Sequence, residues 1–264
     1  MKKAVNLYLI VANTKMKLDL IKKAGYDGVL LGVSHSNETM TLNEQVDYAK
    51  SLGLEISMIH SRYIEPFLND IWKEDQVGEL VTNDLISQIN FVSNYKLKNF
   101  VVHTCGSKTV KNTKIGLERI KRILDACKKN NMNLCIENLY SEKQIDYIFK
   151  NIHDDSLKIC FDSGHNNFLT PKSKILENYF DKITTTHIHD NHGEKDEHLI
   201  LGEGNINTKK LAEGLSKCNL EFLTAEIKFK HKKLSSQELF LKLQENLKML
   251  ENLDKQINYF KTSK

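Results

Sequence analysis

The chain has 264 residues, 40% hydrophobic and 27% charged, which is enough apolar material for a large core and excludes an intrinsically disordered protein. Its 38 basic residues nearly balance 34 acidic ones, and a net charge of +4 gives no general nucleic-acid footprint while permitting anionic partners. No apolar run approaches the roughly 20 residues of a membrane span. The five cysteines, Cys105, Cys127, Cys135, Cys160 and Cys218, are odd in number and lack CxxC spacing, so a cytoplasmic location with reduced thiols is expected.

Met1-Lys2-Lys3 followed by Ala4 to Ala12 imitates a short signal peptide, but Asn6 interrupts the run and no A-x-A site follows; the stretch reads as a first strand, Val5 to Val11. Apolar or β-branched runs then alternate with longer amphipathic segments, the pattern of βα units. The further strands expected are Gly28 to Val33, Glu55 to His60, Phe100 to His103, Asn133 to Glu137, Lys158 to Asp162, Ile183 to His189 and Phe222 to Ile227. Helices are expected at Leu42 to Ser51, Lys114 to Lys129 and Ser236 to about Phe260, with stops at Gly25, Gly53 and Asn130-Asn131. Only two prolines occur and no linker-like tract. Eight units in this length predict a single domain over residues 1–264, an α/β fold of the (β/α)8 TIM barrel type.

In such a barrel the chemistry gathers at the C-terminal ends of the strands. The third strand closes with His60, the fourth with His103, the fifth with Glu137-Asn138 and the sixth with Asp162-Ser163-Gly164-His165. The seventh ends in His187, with Asp196 and His198 in the loop after it, and the eighth in Glu226. A single His at a strand end is more often structural than functional. Six consecutive strands ending in His, Asp or Glu are different, because so many lone pairs and charges in one mouth call for cations. Mixed carboxylate and imidazole donors suit zinc or manganese first, with cobalt, iron or magnesium as further options.

Two pieces carry a resemblance: Phe161-Asp162-Ser163-Gly164-His165, and the element from His187-Ile188-His189-Asp190-Asn191 through Asp196-Glu197-His198 to Leu201-Gly202-Glu203-Gly204-Asn205-Ile206. With these, the chain from Gly25 to about Lys228 resembles the xylose isomerase-like barrel superfamily, which includes sugar isomerases and epimerases, inosose dehydratases and endonuclease IV. The resemblance implies that Glu137, Asp162, His187 and Glu226 hold a shared metal. It also places His60, His103, His165, Asp196 and His198 on the additional ligands of a three-zinc cluster as in endonuclease IV, with Tyr63 completing an H-x-x-Y.

Two functions follow from the resemblance. As a sugar or sugar-phosphate isomerase or epimerase, the protein would hold one ion and use Glu137 and Glu226 as the proton-transferring pair through an enediolate, with His165 holding a substrate oxygen. As a zinc phosphoesterase acting on abasic DNA, it would hold up to three ions, and His60, His103, Asp196 and His198 would be essential ligands. The first is preferred, because Asp-Ser-Gly-His looks like the isomerase-like members and only Arg62, Arg119 and Arg122 are present, the last two on an expected outer helix. The epimerases' arginine after the seventh-strand His has no counterpart in Asp190-Asn191-His192-Gly193-Glu194-Lys195, where His192 and Lys195 read as a solvated loop. Gly202-Glu203-Gly204 reads as a turn, since a short Gly-x-Gly is weak evidence for a phosphate cradle. The expected partner is a small sugar or sugar phosphate, with DNA only under the second reading and no membrane; the sequence does not fix the oligomeric state.

Overall fold

A computed structural model describes residues 1–33, 38–62, 67–107, 110–229 and 234–263; Tyr63 lies outside the described residues. Eight strands, β1 (Lys2–Asn6), β2 (Gly28–Gly32), β3 (Glu55–His60), β4 (Asn99–Val102), β5 (Asn133–Glu137), β6 (Leu157–Asp162), β7 (Ile183–His187) and β8 (Phe222–Ala225), form one parallel sheet in the order β7-β6-β5-β4-β3-β2-β1-β8. The ring closes between β7 and β8. There Ile188 N–H donates to the Thr224 carbonyl (2.8 Å) and Glu226 N–H to the Ile188 carbonyl (3.1 Å). The architecture is the single (β/α)8 TIM barrel expected from the sequence.

The helices are α1 (Thr14–Ala24), α2 (Leu42–Ser51), α3 (Gln76–Val92), α4 (Lys114–Lys129), α5 (Glu142–Asn151), α6 (Ser163–Phe168), α7 (Ile175–Asn178), α8 (Thr208–Leu215) and α9 (Ser236–Thr262). Their ends follow local chemistry. Thr41 and Ser235 open α2 and α9 with capping boxes to Glu44 and Glu238, and Gly25, at φ +105°, stops α1. The main core lies between sheet and helices, while Leu30, Met58, Val101, Cys135 and Cys160 form a separate plug inside the barrel. All five cysteines are free and buried, and no helix among the described residues is long and apolar enough to cross a membrane.

The first strand departs from expectation: β1 ends at Asn6, not Val11, and Leu7–Leu9 form a 3-10 turn. Asn6 causes the break. Its side chain donates to the Ile227 carbonyl (3.0 Å) and accepts from Ile227 N–H (2.9 Å), replacing the ladder with a side-chain clasp across the seam to β8. Leu7 and Leu9 remain buried, so the apolar run meets the core as a helical turn instead of as a strand.

Candidate metal centre and active site

The twofold alternation of strands decides what faces the mouth. Met58, Val101, Cys135 and Cys160 fill the barrel interior, and two residues after each come His60, His103, Glu137 and Asp162. The face that plugs the barrel thus presents these groups one layer higher. Thr185, whose hydroxyl reaches the Met58 sulfur at 3.2 Å, stands in the same relation to His187, as Thr224 does to Glu226.

Glu137, Asp162, His187 and Glu226 converge at the centre, none more than 7% exposed. His187 Nδ1 is 3.3 Å from Glu137 Oε2, 3.3 Å from Glu226 Oε2 and 3.7 Å from Asp162 Oδ2. Donor atoms on a tetrahedral zinc, at bond lengths of about 2.0–2.2 Å, stand about 3.3 Å apart. Two of the three distances from His187 match that spacing, and one donor atom from each of the four side chains lies within 4.8 Å of the others. On one flank, His60 Nε2 and His103 Nε2 each lie 3.1 Å from Glu137 Oε2. On the other, His198 Nε2 is 2.9 Å from Asp196 Oδ2. His165 joins the flanks, with Nδ1 3.0 Å from Glu137 Oε1 and Nε2 3.8 Å from Asp196 Oδ2. All nine residues singled out in the sequence are brought together beneath or around one cavity of about 480 Å³.

The second hydrogen bond of each ring tests whether a cation fits. His60 Nδ1 faces the Ser61 carbonyl and His198 Nδ1 the Glu226 carbonyl, both at 2.8 Å. A carbonyl only accepts, so Nδ1 carries the hydrogen and Nε2 of the neutral ring is a lone pair. The His60 lone pair points at Glu137 Oε2, 3.1 Å away, whereas that of His198, 2.9 Å from Asp196 Oδ2, already meets the Lys228 ammonium at 3.0 Å. Acceptor facing acceptor is repulsive unless the ring gains a second proton or a cation lies between. Glu137 Oε1, both His187 nitrogens, His189 Nδ1 and Asp196 Oδ1 are also buried without a hydrogen bond. The donor set suits a divalent metal of the zinc or manganese kind.

In the metal-free chain Glu137, His187 and His165 favour one another's charged forms. Burial would raise the Glu137 carboxyl, yet His187 and His103 hold it well below the usual carboxylate range. Burial would depress His187 and His165, but the Cys160 sulfur with Glu137 and Glu226 around the first, and Asp162, Asp196 and Glu137 around the second, hold both well above the usual imidazole value. Burial lowers His103.

The Asp-Ser-Gly-His stretch builds the rear wall. Asp162 accepts from His165 N–H (2.6 Å) and so caps α6, while Ser163 hydroxyl donates to the His189 carbonyl (2.7 Å) and accepts from His189 N–H (3.0 Å). Gly164 leaves the room that the His189 ring fills. His189 is fully buried, touches Asp162 at 3.0 Å and stacks on His198 with ring centres 4.2 Å apart. Sequence reading assigned it no role. It also passed over Tyr8, whose hydroxyl donates to Glu226 Oε1 (2.9 Å), and Lys228, whose ammonium lies 3.0 Å from His198 Nε2. Burial and the Glu226 carboxylate keep the Tyr8 phenol protonated far above its usual range. For His189 and Lys228 a sequence signal existed: each stands two residues beyond a site residue.

The secondary sequence readings resolve structurally. Gly202, at φ +98°, opens a turn whose N–H groups are taken by Asp190, which accepts from Gly202 (2.8 Å) and Ile206 (3.1 Å); the expected turn is held by a carboxylate. Exposed His192 pairs with Glu197 at 2.8 Å, and Lys195 is 75% exposed, as a solvated loop requires. Arg119 is buried and donates to the carbonyls of Asp70, Ile71, Lys73 and Asp75. Arg122 grips Glu79, and Arg62 pairs with Asp84.

Comparison with known proteins places the fold. A family profile described as xylose isomerase-like TIM barrel matches residues 18–253. An uncharacterized protein of Sinorhizobium fredii, y4fM, is 24% identical over 242 residues, covering 76% of each chain. Among solved structures, a D-tagatose 3-epimerase-like protein superposes with a TM-score of 0.75 at 20% identity, covering 97% of this chain and 100% of the other. The IOLI protein with a binding zinc atom gives 0.74 at 15% identity, covering 98% and 99%. The chain belongs to the xylose isomerase-like TIM barrel family.

Proposed function

We propose that the protein is a divalent-metal-dependent isomerase or epimerase of a sugar or sugar phosphate, in which Glu137 and Glu226 exchange a carbon-bound proton with the substrate. The observation that carries this reading is the symmetric placement of two carboxylates, each 3.3 Å from His187 Nδ1, on strands three positions apart around the ring. Structural likeness to a D-tagatose 3-epimerase-like protein supports it.

Glu137, Asp162, His187 and Glu226 would hold the ion, which when bound supplies the electrophile that polarises a substrate carbonyl and stabilises the enediolate. The chain's own groups do the rest. Glu137 and Glu226 are held as carboxylates and approach the cavity from different sides, so one can take a proton from carbon and the other return one. Tyr8 fixes Glu226 through Oε1, and His165, with Nε2 toward Asp196, is placed to hold a substrate oxygen. Deuterium incorporation at the reacting carbon in D2O, tested over aldoses and ketoses with and without phosphate, is the direct check. Glu226→Gln should abolish it while retaining part of the metal. Normal turnover by that variant would reduce Glu226 to a ligand and sink the two-carboxylate mechanism.

One observation favours a second reading, a zinc phosphoesterase. The flanks at His60–His103–Glu137 and His189–Asp196–His198 offer places for further ions. Against it, all three arginines are engaged with protein partners away from the cavity, leaving none to grip a phosphate backbone. Metal stoichiometry separates the two. One ion per chain that survives combined His60→Ala, His103→Ala and His198→Ala fits the isomerase, whereas three zinc ions and nicking of abasic duplex DNA would replace it.

A further inference from the structure

The substrate's charge can be read from a residue outside the ligand set. Among the described residues lining the cavity, Lys228 is the only lysine or arginine. Its backbone is pinned at the end of the eighth unit, where Lys228 N–H donates to the His198 carbonyl (3.0 Å) and Phe229 N–H to the Leu9 carbonyl (2.8 Å). The ammonium is accordingly delivered to a set place in the mouth.

Its partners leave it underused. His198 Nδ1 donates to the Glu226 carbonyl, so Nε2, 3.0 Å from Nζ, accepts one of the three ammonium hydrogens. Glu226 Oε1 is 3.9 Å away, beyond hydrogen-bond reach, and already receives the Tyr8 hydroxyl at 2.9 Å. The side chain is 30% exposed, and the Tyr8 ring lies 6.0 Å beneath the ammonium. A lysine kept for an ion pair with Glu226 would close that gap. This one stands off and offers two donors to the cavity.

We propose that Lys228 binds an anionic group of the substrate, a carboxylate or a phosphate, and so makes the protein selective for acidic sugars. The proposal rests on the sugar-processing reading of the same site. Geometry limits where the anion sits. Nζ is 3.9 Å from Glu226 Oε1, and a charge-assisted hydrogen bond spans about 2.8 Å, so the anion's oxygen falls within about 7 Å of the carboxylate that handles the proton. The anionic group lies a few bonds from the reacting carbons, which favours a small sugar acid or short sugar phosphate over one whose charge is carried on a long arm. The turn at Gly202 offers no rival site, because Asp190 takes the Gly202 and Ile206 N–H groups and the Ile200 and Asn191 carbonyls take those of Glu203 and Asn205.

The test is calorimetric titration of inorganic phosphate, D-gluconate and neutral D-fructose into wild type, Lys228→Gln and Lys228→Arg, each brought to the same metal content by elemental analysis. At least one anion should bind wild type about tenfold more tightly than it binds Lys228→Gln, the scale of one charge-assisted hydrogen bond. Lys228→Arg, which keeps the charge, should retain that preference, and D-fructose should bind all three alike. Whichever of phosphate and gluconate shows the larger loss identifies the anion. Absence of anion binding to wild type, equal anion binding by Lys228→Gln, loss of preference in Lys228→Arg, or an equal loss for D-fructose would each overturn the proposal. Deuterium exchange on the same samples separates the two levels. Lys228-dependent anion binding with no exchange on any sugar removes the isomerase reading alone, and exchange on neutral sugars with unchanged anion binding in Lys228→Gln removes this proposal alone.

Discussion

Gly164 and His189 fit each other: a Cβ built at Gly164 would lie 1.9 Å from His189 Cε1. The glycine in Asp-Ser-Gly-His is required by a ring twenty-five positions later, and that ring touches the carboxylate of Asp162 at 3.0 Å.

Gly164→Ala must therefore push the ring or the backbone of α6. Overpacking of this kind costs about 1–3 kcal/mol, and it should lower both the melting temperature and metal affinity through Asp162. Adding His189→Ala should recover part of the stability, since the clash needs both partners. Thermal melts of the four proteins in chelator check this, and strictly additive losses would show that the two positions are not coupled.

Asp162 caps α6 and is a proposed metal ligand, two roles that substitution can separate. Asp162→Ala should lose the metal and also the cap on His165 N–H, worth about 1 kcal/mol. Asp162→Asn keeps a capping oxygen but loses the charge. Elemental analysis should show depleted metal in both, while melts in chelator should place the Asn variant above the Ala variant. Wild-type metal content in either would remove Asp162 from the ligand set.

The pH dependence follows from the imidazoles. His187 and His165 are held above their usual value in the metal-free fold, so their stabilising contribution is complete below the unfolded imidazole value and lost as pH rises through the raised values. A metal requires the neutral rings and releases their protons. The gap in melting temperature between zinc-loaded and chelator-treated protein should thus widen from about pH 6 to about pH 8. A gap that is constant or narrows would show that these rings do not surrender protons to the metal.

The fold and six of the nine clustered side chains were legible in the sequence because strand ends and twofold alternation are local properties, whereas His165, Asp196 and His198 lie beyond the strands and were picked out with the help of the resemblance. His60, His103, Glu137 and Asp162 follow interior residues by two positions, and the same step would have revealed His189 and Lys228. Tyr8 was not legible. Leu7-Tyr8-Leu9 has a strand's composition, and it turns where Asn6 finds Ile227 beyond the end of the neighbouring strand β8, a contact 221 positions away in the chain. Nor could Arg119 be read as buried, since its carbonyl partners are gathered by the fold.

The seam between β1 and β8 also has a consequence for biosynthesis. A nascent chain that has emerged through β7 carries Glu137, Asp162 and His187 but lacks Glu226, while the groups that orient Glu226, the Tyr8 hydroxyl and the Asn6 clasp on Ile227, have already been made with the first strand. If Glu137, Asp162, His187 and Glu226 hold the ion as proposed, its tight capture awaits the union of β1 with β8, and metal loading would mark a closed barrel.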